Sequence, residues 1–252
     1  MDKNTFNTYQ HILSRKEAVK LACFYLQERL RNGSKTNIIF THAVHIFNVA
    51  KIAEHIARHT LSSPHALDPD TAYVLGLIHD IGRIKDETKT KVPHGLEGFD
   101  FLMKSGLKNV APISLTHNFV TKQINADDFP VYSPKQIHKA SKLLSGIEYN
   151  DYDRLIQLAD NFSRGREILS LQERINKNKE FYHTTLSFEK DIFSLRDYFN
   201  NKYNINVENL VNDLFKDYNS NAKDIKIPVF SFSSPQTVKP LFVTDLRATA
   251  EK

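Results

Sequence analysis

The chain is poor in the residues that staple, kink or punctuate a fold: 252 residues hold one cysteine, no tryptophan, eight glycines and nine prolines. A lone Cys23 excludes an intramolecular disulfide, and without a cysteine cluster no thiolate zinc site can be assembled. Between Ala22 and Phe24, Cys23 reads as a small buried hydrophobe. Scarce glycine and proline, with long stretches free of both, argue against a turn-rich β architecture and for helices. No apolar run approaches the ~18 residues that span a bilayer, and Met1 to Asn7 lack the apolar core of a signal peptide. The expectation is a cytoplasmic protein with no membrane attachment.

Charge of either sign is not in large excess. Lys and Arg number 34 against 29 Asp and Glu, a net +5 that suits a phosphate-bearing ligand without demonstrating one. No basic stripe of nucleic-acid-binding density occurs, and the run Asn176-Lys177-Asn178-Lys179 reads as a solvated face. With 40 % apolar and 25 % charged residues the chain has the composition of a folded domain, so disorder is not expected. Its length suits one domain with an appendage.

What is present is a succession of helical patterns. Ser14 and Glu17 form a capping box that opens a helix from Arg15 to Asn32, with Gly33 as the stop. From Thr36 to about Thr60, Ile39, Val44, Phe47, Ile52 and Ile56 are among the apolar residues recurring at helical steps. Asp68-Pro69 supplies a cap and a first-turn proline for a third helix ending near Gly82, which puts His79 and Asp80 in its last turn. Arg83 to Val92 reads as a polar loop. Further helices are expected from Pro93 to Gly106, around Val110 to Asn118, from Ser133-Pro134 to Gly146, and through Leu155 to Ala159 with Asp151 as cap.

Beyond Ser170 the composition shifts towards Lys, Asn, Glu and Tyr. Residues 171–218 keep helical pieces, whereas 225–246, with its prolines and its Ser and Thr residues, looks extended. The expected organisation is an N-terminal helix packing on the core over 1–35, the principal domain over 36–170, and an appendage over 171–252. The fold class is mainly α, a helical bundle with a C-terminal extension that is part helical and part extended.

The chain has eleven histidines, and the question is which converge. His45 lies amid Val44, Phe47 and Val49, His79-Asp80 ends an apolar helix, and Asp160 follows Leu155-Ile156-Gln157-Leu158-Ala159. Each is an ionisable group beside a core face. Leaving such a group buried and unbonded costs roughly 2 to 7 kcal/mol, and more for a charged carboxylate. A shared metal ion removes that cost, and imidazole with carboxylate suits Fe, Mn, Zn, Ni or Co.

The order His45, then His79-Asp80-Ile81-Gly82, then Asp160 resembles the HD-domain phosphohydrolase superfamily with its His-Asp-Ile-Gly signature. His94-Gly95-Leu96-Glu97-Gly98 and His117-Asn118 resemble two later elements of the same family, and the likeness covers about residues 36 to 166. A His-Asp dipeptide alone is common by chance; in this order, with two later histidines, it is specific. The resemblance implies an HD-domain helical bundle in which His45, His79, Asp80 and Asp160 bind a first metal. It also implies that His94 and His117 bind a second, with Asp80 bridging. It implies one or two divalent transition-metal ions, Fe or Mn favoured over Zn, Ni or Co, and hydrolysis of a small phosphorylated substrate by a metal-activated water.

Among the cations, Arg83 follows the signature directly and is the expected catalytic and phosphate-binding arginine; the plainer alternative is a cation complementing the end of its helix. Arg164 is one turn past Asp160 and a second phosphate candidate, ahead of Arg166, Lys85 and Lys89. His42 reads as a polar-edge histidine in preference to a neighbour of the site. His55 and His59 sit at a charged helix end and read as solvated, while His11, His65, His138 and His183 have no partner that can be named. The principal reading is hydrolysis of a nucleotide or similar compound at a phosphoester or phosphoanhydride bond. The alternatives are a module that senses a nucleotide without turning it over, which the intact ligand set disfavours, and a single-strand nuclease, which the modest charge and missing tryptophan disfavour. Self-association is left open.

Overall fold

The structure is a computed structural model and describes residue 9 and residues 12–84, 92–129, 132–182 and 186–220. It is mainly α. Helices α1 (Arg15–Arg31), α2 (Thr36–Arg58) and α3 (Pro69–Ile78) lead into a 3-10 turn, Ile81–Ile84. Then come α4 (His94–Lys104), α5 (Ala111–Thr116), α6 (Pro134–Ser145) and α7 (Asp151–Asp160). A hairpin of β1 (Ser163–Arg164) and β2 (Glu167–Ile168) follows, and α8 (Leu171–Tyr182), α9 (Leu186–Tyr203) and α10 (Val207–Ser220) complete the described chain.

Local chemistry sets most of these boundaries. The Ser14–Glu17 capping box is formed in both directions, and Ser133 with Gln136 makes a second one at α6. Asp68 accepts from the Thr71 amide, with Pro69 at the first helical position of α3. At α7 the cap is Asn150 and not Asp151. Asp151 instead accepts hydrogen bonds from Tyr198 and Tyr203 hydroxyls at 2.6 and 2.5 Å and from Lys202 at 2.5 Å, tying α7 to α9. A side chain facing a later helix is not available to cap its own.

The centre of the molecule is α2. Ile46, Val49, Ala50, Ile52, Ala53, Ile56 and Ala57 have no exposed surface, so the helix is surrounded and not laid on a surface. Its tightest neighbour is α3, where a Cβ on Gly76 would lie 2.7 Å from Ala50 Cα. That approach is open only to glycine, and it fixes the relative height of two helices that each carry a histidine close by. Leu171, Ile175, Ile192, Phe199, Val207 and Phe215 join the same apolar core. Among the described residues no helix is long and apolar enough to cross a membrane.

Three further expectations change. Cys23 is half-buried, not fully buried. Helix α3 stops at Ile78, so His79 is its cap residue and Asp80 lies just past it. Ser163 to Ile168 form a two-residue-per-strand hairpin, too short to leave an alternating pattern in the sequence. The region 225–246, expected to be extended, lies outside the described residues, as do Lys85, Lys89, His11 and His183.

Candidate metal centre

Five elements deliver the six residues expected from the sequence to one place. His45 comes from the middle of α2, His79 and Asp80 from the end of α3, His94 from the first turn of α4, His117 from the end of α5, and Asp160 from the last position of α7. All are buried or nearly so; His79 is 0 % and Asp80 2 % exposed.

Asp80 stands between two groups of nitrogens. Its Oδ2 is 3.6 Å from His45 Nε2 and 3.9 Å from His79 Nε2, while its Oδ1 is 3.2 Å from His94 Nε2 and 3.5 Å from His117 Nε2. Asp160 Oδ1 closes the first group, 3.1 Å from His45 Nε2 and 3.6 Å from His79 Nε2. Both triads, His45-His79-Asp80 and Asp80-His94-His117, are compact enough to hold an ion.

The outer nitrogens of these rings are already engaged. His79 Nδ1 lies 2.7 Å from the Gly76 carbonyl and His117 Nδ1 lies 3.0 Å from the Ile113 carbonyl. A carbonyl only accepts, so each ring carries a proton on Nδ1 and in its neutral form turns a lone pair on Nε2 inward. His45 Nδ1 meets the buried Ser163 hydroxyl at 3.1 Å, a partner that serves either tautomer. Orientation through the second nitrogen is how metal-binding histidines are held.

Packing explains the meeting of the turn and α4. A side chain on Gly82 would overlap the His94 carbonyl and the Gly98 amide, and one on Gly98 would overlap the Ser114 hydroxyl. These glycines let backbone lie against backbone, which brings His94 within reach of Asp80. On the opposite side, Gln157 Nε2 donates to the Thr116 and Phe119 carbonyls at 2.8 and 2.9 Å, locking α7 to the end of α5 beside His117.

Electrostatics suit anionic carboxylates among imidazoles. Burial by itself would raise the Asp80 pKa, but Arg83, His94 and His79 hold it well below the usual carboxylate range. Asp160 is likewise held low: burial is outweighed by the close approach and charge of the His45 and His79 imidazoles. Burial pushes His117 down to about 4, leaving it neutral near pH 7. His79 moves up, since its burial is outweighed by the Asp80 and Asp160 carboxylates.

The chemistry of the donors fits a divalent ion. His79 Nε2 is buried and makes no hydrogen bond among the described residues, an arrangement costing of order 2 kcal/mol or more if nothing else binds there. Imidazole nitrogens and carboxylate oxygens, with no thiolate, form a borderline-hard donor set.

Arg83 Nε donates to Asp80 Oδ2 at 2.7 Å, and Arg164, on β1, lines the cavity that opens on the cluster. Arg166 is turned away, exposed and stacked 4.5 Å from the Phe40 ring. His59 is exposed and packs against His55, and His65 and His138 are exposed as well. His42 departs from expectation: it is 9 % exposed, with Nε2 3.6 Å from Asp80 Oδ2. Its three-residue offset from His45 was the available signal. Ser163, Arg29 and Arg174 also border the site, and nothing local in the sequence marks them.

Comparison with curated proteins and with solved structures returned no match. Comparison with protein families matched the HD domain over residues 43–165, a stretch that contains all six converging residues. Through residues 43–165 the chain is a member of the HD-domain superfamily, which consists mostly of metal-dependent phosphohydrolases.

Proposed function

We propose that the protein hydrolyses a phosphoester or phosphoanhydride bond in a nucleotide or similar small phosphorylated compound. The observation that carries the reading is the division of Asp80, one carboxylate oxygen towards each group of histidines, beside a cavity lined by arginines. In this reading His45, His79, Asp80 and Asp160 hold a first ion, and His94 and His117 hold a second that Asp80 shares. Fe or Mn is favoured, with Zn, Ni and Co compatible with the same donors. When bound, such ions acidify water and polarise phosphoryl oxygens.

The chain's own groups supply the rest. Asp80 and Asp160 remain charged at neutral pH, and His117 remains neutral, so these three donors need no proton removed before binding. Arg83 keeps Asp80 anionic and presents a cation on the cavity wall, where a phosphate oxygen can be received. Water oxygen bonds to phosphorus as the bond to the leaving oxygen breaks; the attacking water releases a proton to solvent and the leaving oxygen takes one up from it. No covalent enzyme intermediate is required. The exposed apolar residues Ile38 and Phe40, 46 % and 43 % accessible at the start of α2, support a nucleoside, since Ile38 also borders the cavity.

The test is elemental analysis of protein purified without chelator, paired with phosphatase assays of wild type and Asp80→Asn. One to two transition-metal ions per chain and a loss of turnover of about a thousandfold or more in the variant are expected. Undiminished turnover in Asp80→Asn, or a wild-type protein free of metal, overturns the reading.

A further inference from the structure

His55 and His59 stand four residues apart, in and just past the last turn of α2, away from the cluster around Asp80. Ten residues separate His55 from His45, a rise of about 15 Å along the same helix, so the two locations are distinct. His59 is the cap residue, yet its backbone stays in the right-handed helical region. The four-residue spacing therefore still brings the rings together, and their centroids lie 4.6 Å apart. Such a pair on one helical face offers two imidazole nitrogens to a single ion.

The rings are prepared for that. His59 Nδ1 lies 2.9 Å from the His55 carbonyl, which only accepts, so Nδ1 carries the proton and neutral His59 has its lone pair on Nε2. His79 and His117 are held in the same way by the Gly76 and Ile113 carbonyls. His59 is exposed and His55 half-buried, which gives an ion access from solvent. Burial and the neighbouring His59 lower the His55 pKa, Arg58 acts in the same sense and Asp213 and Glu54 oppose them, so the ring is neutral near pH 7. Arg58 is paired with Glu54 at 2.6 Å, which reduces its repulsion of a second cation. The partial negative charge at the C-terminus of a helix favours a cation as well.

Helix α10 packs on α2, with Val211 and Phe215 buried. Asp213 of that helix is exposed, acts on His55 through its charge, and pairs with Lys216 one turn on, an exposed ion pair of little strength. We propose that His55 and His59 chelate a borderline divalent transition-metal ion at the end of α2, with Asp213 supplying the facing negative charge. Two imidazoles without a thiolate suit Zn2+, Cu2+ or Ni2+, with water in the remaining positions. Occupancy braces α10, which lies outside residues 43–165, against a helix of the HD domain. The site is independent of the hydrolase reading.

The test is equilibrium dialysis of the full chain against Zn2+, with bound metal counted by elemental analysis and Tm measured in parallel. Wild type is expected to hold about one ion more per chain than His55→Gln or His59→Gln, because a single imidazole lacks the chelate. At a hundredfold excess of Zn2+ over the dissociation constant of this site, the Tm of wild type should rise by about 5 °C more than that of either variant. Asp213→Asn should weaken the same site by a smaller factor, about threefold, as the loss of a nearby charge. Phosphatase activity should be unchanged in His59→Gln, which is exposed and serves if the His55 variant misfolds. Equal Zn2+ content and equal Tm response in wild type and both histidine variants overturn the assignment. An extra ion that persists in His59→Gln and disappears in Asp80→Asn belongs to the cluster around Asp80 and overturns it too.

Discussion

Gly82 packs against His94 so closely that a single methyl on Gly82 would overlap the His94 carbonyl oxygen. The signature turn and the first turn of α4 are therefore in backbone contact, and the 3.2 Å separation of Asp80 Oδ1 and His94 Nε2 depends on it.

Gly82→Ala must push those two elements apart, because the obstructing atoms are backbone and cannot rotate away. Overpacking of this kind costs about 1–3 kcal/mol, and for a chain of this size a Tm lower by on the order of 5 °C. Metal content should fall more than stability does, since His94 is drawn away from Asp80. Thermal unfolding and elemental analysis measure both; a variant with wild-type Tm and metal content would show that the contact does not set the site.

Ser163→Ala removes the partner of His45 Nδ1 without touching a proposed ligand. The ring then loses the bond that aims Nε2 at Asp160 and Asp80. A ten- to hundredfold weaker metal affinity is expected, measured by titration against a competing chelator. Ser163→Thr, which keeps the hydroxyl, should recover part of the loss, whereas equal defects in both variants would point to packing as the cause.

Asp151 predicts an acid-sensitive link between α7 and α9. Burial opposes its charge, but Lys202, Tyr198 and Tyr203 outweigh burial and lower its pKa in the folded protein. Its contribution is therefore present above the unfolded value of about 3.9 and is lost as pH falls through the lower folded value. Asp151→Asn should lower stability by about 1–3 kcal/mol at pH 7. In urea titrations the difference from wild type should shrink between about pH 5 and pH 2. A difference independent of pH would assign the effect to shape and not to charge.

Much of the fold could be read directly because its signals are local. The capping box at Ser14, the Asp68-Pro69 and Ser133-Pro134 helix starts and the apolar stripe of α2 concern residues within a turn or two of one another, and they appear where expected. The Asn150 cap was misassigned to its neighbour because the deciding interactions of Asp151 come from residues 47 to 52 positions later. The hairpin was missed because two-residue strands have no periodicity to detect.

The candidate site divides along the same line. His45, His79, Asp80, His94, His117 and Asp160 were named from the order in which they resemble the motifs of the HD-domain family, a signal written along the chain. Which oxygen of Asp80 faces which histidines, what Ser163 does for His45, and how Arg29 and Arg174 reach the cavity from outside residues 43–165 depend on helix packing between residues far apart in the chain. Ligand type follows from side-chain chemistry, which is written residue by residue. The charge and shape of the pocket are sums over distant contributors, and those exist only once α1, α2 and α8 have been brought together.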